Sequence, residues 1–181
     1  MKIKEYEGKI EIPEGIEVKI EEGIITVSNK DKELSRQLKH KKVSLSVVDK
    51  NVVISFKNGT KREKTMSGTF KAHIKNMFKG VTEGHIYKLK ICSGHFPMNV
   101  TMKENKFIVN NFLGEKTPRE LNLKDGADVK IEGDIVTISG IDKELAAQTA
   151  ADIEILTKIK GKDLRIFQDG IYITEKDGKM V

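Results

Sequence analysis

Two segments of the chain carry the same alternation of apolar and polar residues. Gly15 to Gln37 and Gly126 to Gln148 align without a gap and are identical at thirteen of 23 positions, including "VKIE" and a later "DKEL". Within each segment, apolar side chains recur at every second position on both sides of a Glu-Gly or Gly-Asp pair. A period of two that is interrupted by turn residues predicts a two-stranded β-hairpin with one buried face. The repeat therefore indicates the internal duplication of one structural unit.

A second alternating pair accompanies each copy of the repeat. After the first copy, the chain passes through a basic linker into "VSLSVVDKNVVISF" (43–56). Before the second copy stands "MNVTMKENKFIVNNF" (98–112). Both segments have a short polar stretch between two apolar runs, and each therefore predicts a further hairpin.

Apolar residues at helical spacing predict one helix in each half of the chain. The stripe in the first half consists of Met66, Phe70, Ile74, Met77, Phe78 and Val81. After the second "DKEL" the chain stays helical, with a stripe of Leu145, Thr149, Ile153 and Leu156. Asp142 stands where its side chain can cap the first amides of that helix. We expect both stripes to pack into the core rather than to form a ligand groove.

The order hairpin, hairpin, helix therefore occurs twice. It predicts an α+β protein of two similar domains from an internal duplication, each an antiparallel β-sheet with one packed α-helix. We expect an N-terminal domain over residues 1–81 and a C-terminal domain over residues 82–181. The second domain has an extra basic C-terminal hairpin, for which the pattern predicts strands from Leu164 to Phe167 and from Ile171 to Thr174 around Asp169-Gly170.

The chemistry of an enzyme is not visible in the sequence. The four histidines lie on different predicted elements, Cys92 is the one cysteine, and no nucleophile with a base, carboxylate pair or zinc site has a recognisable spacing. We expect no catalysis, no metal and no cofactor. No apolar run approaches the roughly 20 residues of a membrane span, and the first residues lack the apolar core of a secretory signal. A lone cysteine is typical of a cytoplasmic chain.

The net charge of +6 favours a polyanionic partner without identifying it. Residues 1–81 contain 18 Lys and Arg against 11 Asp and Glu, a net charge of +7, whereas residues 82–181 contain 15 against 16, a net charge of −1. Any contact of the second half with a nucleic acid must therefore come from local clusters. The cluster in its tail consists of Lys158, Lys160, Lys162 and Arg165.

The same tail contains residue types that RNA-binding surfaces use. Gly161 would let the backbone approach a phosphate, and we expect it to serve that approach rather than a turn. Phe167 and Tyr172 offer ring faces on which bases can stack. The alternative is a solvated C-terminal hairpin whose aromatic residues belong to the core, and the pattern alone does not separate the two.

Four motifs of the second half stand in a fixed order. They are "HFPMNV" (95–100), "NFLGEK" (111–116), "GIDKELAAQTAADI" (140–153) and "KDLRIFQDGIY" (162–172). The motifs closely resemble the universal L-six family of large-subunit ribosomal proteins, in its archaeal and eukaryotic form. The likeness extends over the whole chain, because "IEIPEGIEVKI" and "IKNMFKGVTEG" also resemble the family's first domain in order.

The resemblance implies a structural protein of the large ribosomal subunit that acts in the cytoplasm. Members of the family bind large-subunit rRNA mainly through the second domain, near the sarcin–ricin loop and the stalk base, where translation factors dock and other ribosomal proteins lie nearby. The expected RNA-binding residues are Lys158, Lys160, Gly161, Lys162, Arg165, Lys116, Arg119, Lys143 and His95. A secondary RNA contact is expected at Arg36, Lys39, Lys41 and Lys42.

A protein-binding β module is the competing hypothesis. Its sheet edges would recruit a partner chain, and its basic charge would serve only solubility. Salt dependence separates the two hypotheses, because each phosphate contact lowers the logarithm of affinity by roughly 0.7 to 0.9 per log unit of salt. Strand addition at a sheet edge would respond to salt only weakly.

Overall fold

The computed structural model describes residues 3–30 and 32–181. The chain divides into two compact units, of which the first ends at Glu83 and the second begins at Gly84. Over the described ranges, each unit contains antiparallel sheets and one α-helix, so the predicted α+β class with two similar domains is confirmed. Asp31, the first residue of the earlier "DKEL", lies outside the described residues.

The first unit contains two antiparallel sheets and the longer helix. Its elements are β1 (Ile3–Glu11), β2 (Glu17–Glu21), β3 (Ile24–Asn29), β4 (Lys32–Gln37), β5 (Ser44–Val48), β6 (Asn51–Gly59) and α1 (Lys61–Thr82). One sheet has the strand order β1-β6-β5 and the other has the order β2-β3-β4. Both predicted hairpins of this unit are confirmed, as β2-β3 and β5-β6.

Alternation along the strands determines which residues of the first unit form its core. On β3, Ile25 and Val27 are fully buried, whereas Ile24 faces solvent. The predicted stripe of α1 is buried at Phe70, Ile74, Met77, Phe78 and Val81 and half-buried at Met66. Because each buried side chain of this kind stabilises by roughly 1.5–3 kcal/mol, packing against the sheets fixes the helix more than local propensity does.

A capping box starts α1. The backbone N–H of Thr60 donates to the Glu63 carboxylate at 2.7 Å, and the Thr60 hydroxyl also donates to it. These hydrogen bonds lower the pKa of Glu63 to about 2. The Thr60 hydroxyl oxygen in turn accepts from the N–H of Arg62. Backbone N–H groups at the start of the helix thus have hydrogen-bond partners within the chain.

The second unit contains a five-stranded and a three-stranded antiparallel sheet. Its strands are β7 (His85–Cys92), β8 (Asn99–Lys103), β9 (Lys106–Asn110), β10 (Arg119–Asn122), β11 (Ala127–Glu132), β12 (Ile135–Gly140), β13 (Gly170–Lys176) and β14 (Lys179–Met180). A 3₁₀ turn (Phe112–Gly114) precedes β10, and α2 spans Lys143–Leu156. The strand orders are β11-β12-β7-β13-β14 and β10-β9-β8. The predicted hairpins β8-β9 and β11-β12 are confirmed.

The core of the second unit lies between its sheets and α2. Fully buried side chains come from several elements, among them Leu89, Phe107, Val136 and Ile153. Asp142 caps α2 as predicted, because its side chain accepts a hydrogen bond from the N–H of Glu144 at 2.9 Å.

The two copies of the repeat diverge in structure within "DKEL" itself. In the first unit, β4 includes Leu34, which pairs with Val27 of β3, and the first residues of the segment that was expected to be a linker. In the second unit, the matching residues begin α2. The residues after the motif account for the difference, because "AAQTAADI" supplies strong helix formers with a buried stripe, whereas "SRQLKH" offers no apolar stripe at helical spacing.

The predicted C-terminal hairpin is wrong in its first strand. Leu164, Arg165 and Ile166 form a turn rather than a strand. The strand from Ile171 to Thr174 is confirmed within β13, but its neighbours in the sheet are β7 and β14. An alternating run makes a strand only when an unpaired sheet edge lies beside it, and the edge of β7 is occupied by β13.

Candidate nucleic-acid interface

The cations of the tail lie on one exposed loop between α2 and β13. We call residues 158–168 the basic loop. Lys158, Lys160, Lys162 and Arg165 are all exposed on it. The loop therefore presents four positive charges to solvent within a short length of chain.

Buried residues hold the basic loop against the core of the second unit. The hydroxyl of Thr157, which is buried, accepts a hydrogen bond from the N–H of Ile171 at 2.9 Å and so connects the end of α2 to β13. Within the loop, Ile159 is buried and Phe167 is half-buried against the core. The cations thus stand on an anchored backbone rather than on a free tail.

Arg119 of β10 clamps the start of the basic loop. Its Nη1 donates to the carbonyl oxygens of Leu156 at 2.8 Å and Lys158 at 3.4 Å. Its Nε and Nη2 donate to the two carboxylate oxygens of Glu115 at 2.9 and 2.6 Å. The guanidinium carbon also lies 4.1 Å from the centre of the Phe112 ring. Most of the binding capacity of this side chain is therefore used within the protein.

Glu115 connects the basic loop with the segment that precedes β10. The hydrogen bond from Arg119 lowers the pKa of Glu115, against burial, which raises it. The positive charges of Arg119 and Lys162 lower the pKa further. Lys116 is exposed one residue after Glu115.

Asp169 connects the end of the basic loop with the segment that follows β7. Its side chain is only 4% exposed, and its carboxylate accepts hydrogen bonds from the N–H groups of Gly94 at 2.6 Å and His95 at 2.9 Å. The ring Nδ1 of His95 lies 2.5 Å from the same carboxylate. Burial raises the pKa of Asp169, but the hydrogen bonds from His95 and Gly94 outweigh it and leave the pKa below its usual value.

Phe167 brings a cation and the histidine ring together. The Nζ of Lys162 lies 4.7 Å from the centre of the Phe167 ring, at a distance typical of a cation–π contact. The ring of His95 lies 4.8 Å from the same ring, at an angle of 31°. The side chain of Phe167 therefore packs on the core and also supports two of the predicted site residues.

Arg165 is held by a carboxylate of its own loop. Its Nε and Nη2 donate to Asp163 at 3.1 and 2.9 Å, although its side chain is 90% exposed. The side-chain hydrogen bond between them raises the pKa of Arg165 and lowers that of Asp163. An incoming phosphate would therefore compete with Asp163 for one edge of the guanidinium.

Gly161 has a conformational reason to be glycine. Its φ of +70° lies in the left-handed region, where side chains with a Cβ are strained, although a Cβ would meet no atom within 4 Å. The expectation that Gly161 is not needed for a turn is therefore wrong. Its close approach to a phosphate stays a prediction. The turn itself requires a residue that tolerates positive φ.

The structure brings most of the predicted residues to one end of the second unit. Arg119 contacts the basic loop, and His95 contacts Asp169 directly after the loop. The loop itself contains Lys158, Lys160, Gly161, Lys162 and Arg165, and Lys116 follows Glu115, the carboxylate partner of Arg119. Lys143 is the exception, because it begins α2, whereas the basic loop follows the other end of that helix, about 20 Å away along the helix axis.

The secondary candidates lie in the first unit. Arg36 is half-buried on β4 and already has an interaction within the protein. Lys39, Lys41 and Lys42 are exposed between β4 and β5. The turn is closed by a hydrogen bond from the N–H of Lys42 to Nδ1 of His40 at 3.3 Å.

Exposed apolar side chains flank the basic cluster, and the sequence did not single them out. Leu164 and Ile166 stand on either side of Arg165 and are each 63% exposed. Phe96 is 47% exposed, and its ring packs beside Gly114, where φ is +79°. Residues 164–166 alternate between apolar and charged, but this pattern predicts a strand rather than an exposed apolar surface.

An open cleft lies beside these apolar residues. It has a volume of about 680 Å³ and is bordered by residues 92–95 together with Ile166, Gln168, Asp169 and Tyr172. The Tyr172 hydroxyl lies 3.2 Å from the carbonyl oxygen of Gln168, to which it donates a hydrogen bond. Exposed cations beside a cleft with His95 and Tyr172 on its border can bind phosphates and stack bases.

Neither a cluster of metal-ligating side chains nor a membrane-spanning helix is present among the described residues. Across residues 3–30 and 32–181, no cluster of three or more His, Cys, Asp or Glu side chains is arranged to hold a metal ion. Neither helix of this part of the chain is long and apolar enough to cross a bilayer.

Comparison with known proteins points to one family. The family model for ribosomal protein L6 matches residues 12–84 and again residues 96–170. The chain is 46% identical over 173 residues to the large ribosomal subunit protein uL6 of Methanococcus vannielii, which covers 96% of the chain and 95% of the relative. The proteins of the same name from Methanobrevibacter smithii and Haloarcula marismortui are 46% and 42% identical, over 93% and 94% of the chain and 95% and 96% of the relatives.

Proposed function

The chain belongs to the ribosomal protein L6 family, and we propose that it is a structural protein of the large ribosomal subunit that binds large-subunit rRNA through the basic loop. The archaeal relatives are named as proteins of that subunit, and the similarity covers nearly the whole chain. The family is structural rather than enzymatic, in agreement with the expectation from the sequence. As a ribosomal protein, the chain acts in the cytoplasm.

The observation that carries the proposal is the convergence of separate family motifs beside exposed cations. Asp169 of "KDLRIFQDGIY" binds His95 of "HFPMNV". Glu115 of "NFLGEK" binds Arg119, which also donates to the carbonyl oxygen of Lys158 in the basic loop. Segments that are far apart in the sequence are thus held together at the basic loop. A loop that is fixed in this way on a rigid scaffold is a typical binding surface.

The cations would contribute to RNA binding in different ways. Lys158 and Lys160 are exposed point charges, suited to phosphate oxygens in several orientations. Lys162 is oriented by the Phe167 ring. Arg165 can bind a phosphate with two parallel N–H donors once its hydrogen bonds to Asp163 are broken. Arg119 would act through the backbone that it clamps rather than by touching RNA.

The proposed rRNA segments lie near the sarcin–ricin loop and the base of the stalk. There the protein would contact neighbouring ribosomal proteins and support the docking of translation factors. The likeness of the four motifs to a family whose members occupy this position supports the location. The basic loop supplies the positive charge that such a contact requires.

Chemical probing of rRNA in reconstituted large subunits tests the proposal. Subunits would carry the wild-type protein, the triple variant Lys158→Gln, Lys160→Gln, Lys162→Gln, or a control with Lys103→Gln, Lys130→Gln, Lys176→Gln. The control removes the same charge from exposed lysines elsewhere in the second unit. We expect protection near the sarcin–ricin loop with the wild type and the control and reduced protection with the triple variant. Equal protection in all three would show that the basic loop does not make the contact, and absence of protection with the wild type would favour the protein-binding β module.

A further inference from the structure

The two helices of the duplicated fold differ sharply in charge. α1 carries one acidic residue, Glu63, which is buried, whereas its cations are Lys61, Arg62, Lys64, Lys71, Lys75 and Lys79. α2 carries one cation, Lys143, against Glu144, Asp152 and Glu154. The same structural position is thus strongly basic in one unit and acidic in the other. Core packing does not require this difference, because the cations of α1 and the acidic residues of α2 lie outside the buried stripes.

Four of the lysines of α1 follow one side of the helix. Lys61, Lys64, Lys71 and Lys75 are separated by three, seven and four residues, a spacing that keeps them on one flank. We call these four lysines the basic stripe. From Lys61 to Lys75 the stripe extends for about 21 Å at 1.5 Å per residue, long enough to follow several phosphates of one strand.

The charges of the basic stripe are not neutralised within the protein. Among the described residues, none of its four lysines has a carboxylate within ion-pair distance. Elsewhere in the first unit, lysines such as Lys9 and Lys57 do have such partners, Glu7 and Glu5. The stripe therefore presents positive charge from the exposed Lys61, Lys64 and Lys75 and the half-buried Lys71.

Gly68 lies in the middle of the basic stripe and has no structural reason to be glycine. It is exposed, lies in the interior of α1 with helical rather than positive φ, and an added Cβ would meet no atom within 4 Å. Glycine in a helix interior is unfavourable relative to alanine. Gly161, by contrast, is explained by its positive φ. The missing side chain of Gly68 leaves the helix backbone accessible at the centre of a positive surface.

We propose that the basic stripe, with Gly68 at its centre, binds the phosphodiester backbone of a second rRNA segment. This inference rests on the proposed function. The exposed residues beside the lysines are small, namely Thr65, Thr69 and Ala72. The stripe therefore lacks the aromatic side chains that are typical of the centre of a protein–protein interface. Lysines around a gap in the side-chain layer suit a strand that is bound by charge and close approach.

Salt-dependent binding of the full-length protein to full-length large-subunit rRNA tests the stripe. The variant Lys64→Gln, Lys71→Gln, Lys75→Gln should flatten the slope of log affinity against log salt by about 2 to 3, or roughly 0.7 to 0.9 for each lost contact. The control Lys4→Gln, Lys19→Gln, Lys50→Gln removes the same charge from exposed sites in the first unit and should change the slope by less than about one contact. Equal slopes for variant and control would overturn the inference.

Substitutions at Gly68 test close approach without changing charge. Gly68→Ala and Gly68→Gln should raise the melting temperature of the first unit by roughly 4–8 °C, because both residues favour a helix. Gly68→Gln should nevertheless weaken rRNA binding, and by more than Gly68→Ala, because its longer side chain fills the gap. Unchanged affinity of the stabilised Gly68→Gln variant would overturn the role of this glycine.

The same assay separates failure of this inference from failure of the proposed function. The variant Lys158→Gln, Lys160→Gln, Lys162→Gln removes charge from the second unit alone. If that variant flattens the salt slope and the stripe variant does not, only the inference about the stripe is wrong. If neither flattens it, the proposed binding of rRNA by the basic loop is wrong as well.

Discussion

The buried carboxylate of Asp169 accepts hydrogen bonds from both the backbone N–H and the ring Nδ1 of His95, across 74 residues of sequence. The pair joins the loop after β7 to the end of the basic loop. A charge this deeply buried is stabilised only while all of its donors remain in place. The pair therefore couples the stability of the second unit to the shape of its binding surface.

Replacement of Asp169 by asparagine should destabilise the second unit by about 2 kcal/mol, because the charge-assisted hydrogen bonds to His95 and Gly94 are weakened. The loss should depend on pH. The pKa of Asp169 is lowered in the folded state, so its contribution is present above the unfolded value of about 3.9 and is lost as the pH falls through the folded value. Chemical unfolding at pH 7 and at decreasing pH would measure this. A difference between wild type and Asp169→Asn that stays constant down to pH 2 would contradict this account.

Lysine substitution should lower the stability of the second unit at Arg119 and the affinity for rRNA at Arg165. Arg119→Lys keeps the charge but loses donors to Leu156, Lys158 and Glu115, and we expect it to destabilise the second unit by roughly 1–2 kcal/mol. Arg165→Lys should leave thermal unfolding unchanged and weaken rRNA binding, because only the planar fork is lost. Thermal melts and binding titrations of both variants check this. A stable Arg119→Lys variant would show that the clamp is dispensable.

Removal of the Asp163 carboxylate should strengthen RNA binding. Asp163→Asn frees the Nε and Nη2 edge of Arg165 and removes a negative charge from the basic loop. The expected result is a higher affinity with a salt slope steeper by roughly 0.7 to 0.9, equivalent to one added phosphate contact. A titration at several salt concentrations measures both quantities. Weaker binding would mean that Asp163 orients Arg165 for its partner.

Ser67 is a buried polar residue whose replacement should stabilise the first unit. Its hydroxyl oxygen has no hydrogen-bond partner among the described residues, and its side chain faces the core from α1. Ser67→Ala removes the buried hydroxyl and improves helix propensity, so we expect a gain of about 1 kcal/mol in urea unfolding. Thr149→Ala is the matched control in α2, because that hydroxyl does donate to the carbonyl of Leu145 and its loss should destabilise. Destabilisation by Ser67→Ala would contradict the assignment.

The sequence predicts the elements that local pattern determines. Alternation around short polar turns identifies the hairpins, and helical spacing identifies both helices, because each of these signals lies within one continuous segment. The cap at Asp142 is equally local, since it depends on the N–H of Glu144 two residues away.

Features that depend on distant partners were not predictable in the same way. β1 is rich in charged residues, and its partner residues on β6 are 40 or more positions away in the sequence. The run around Leu164 resembles a strand but has no sheet edge to join. The hydrogen bonds from Arg119 to the carbonyl oxygens of Leu156 and Lys158 could not be predicted either, because those residues belong to a different element. The basic loop itself was identifiable, because its lysines are close in sequence.

The salt dependence of rRNA binding by the full-length protein tests the central claim most directly. We expect Lys158→Gln, Lys160→Gln, Lys162→Gln to flatten the slope of log affinity against log salt by about 2 to 3, at roughly 0.7 to 0.9 for each lost phosphate contact. The control Lys103→Gln, Lys130→Gln, Lys176→Gln should keep nearly the wild-type slope, since those lysines lie outside the basic loop. If the two triple variants bind rRNA with the same slope as the wild type, the basic loop is not the RNA-binding surface.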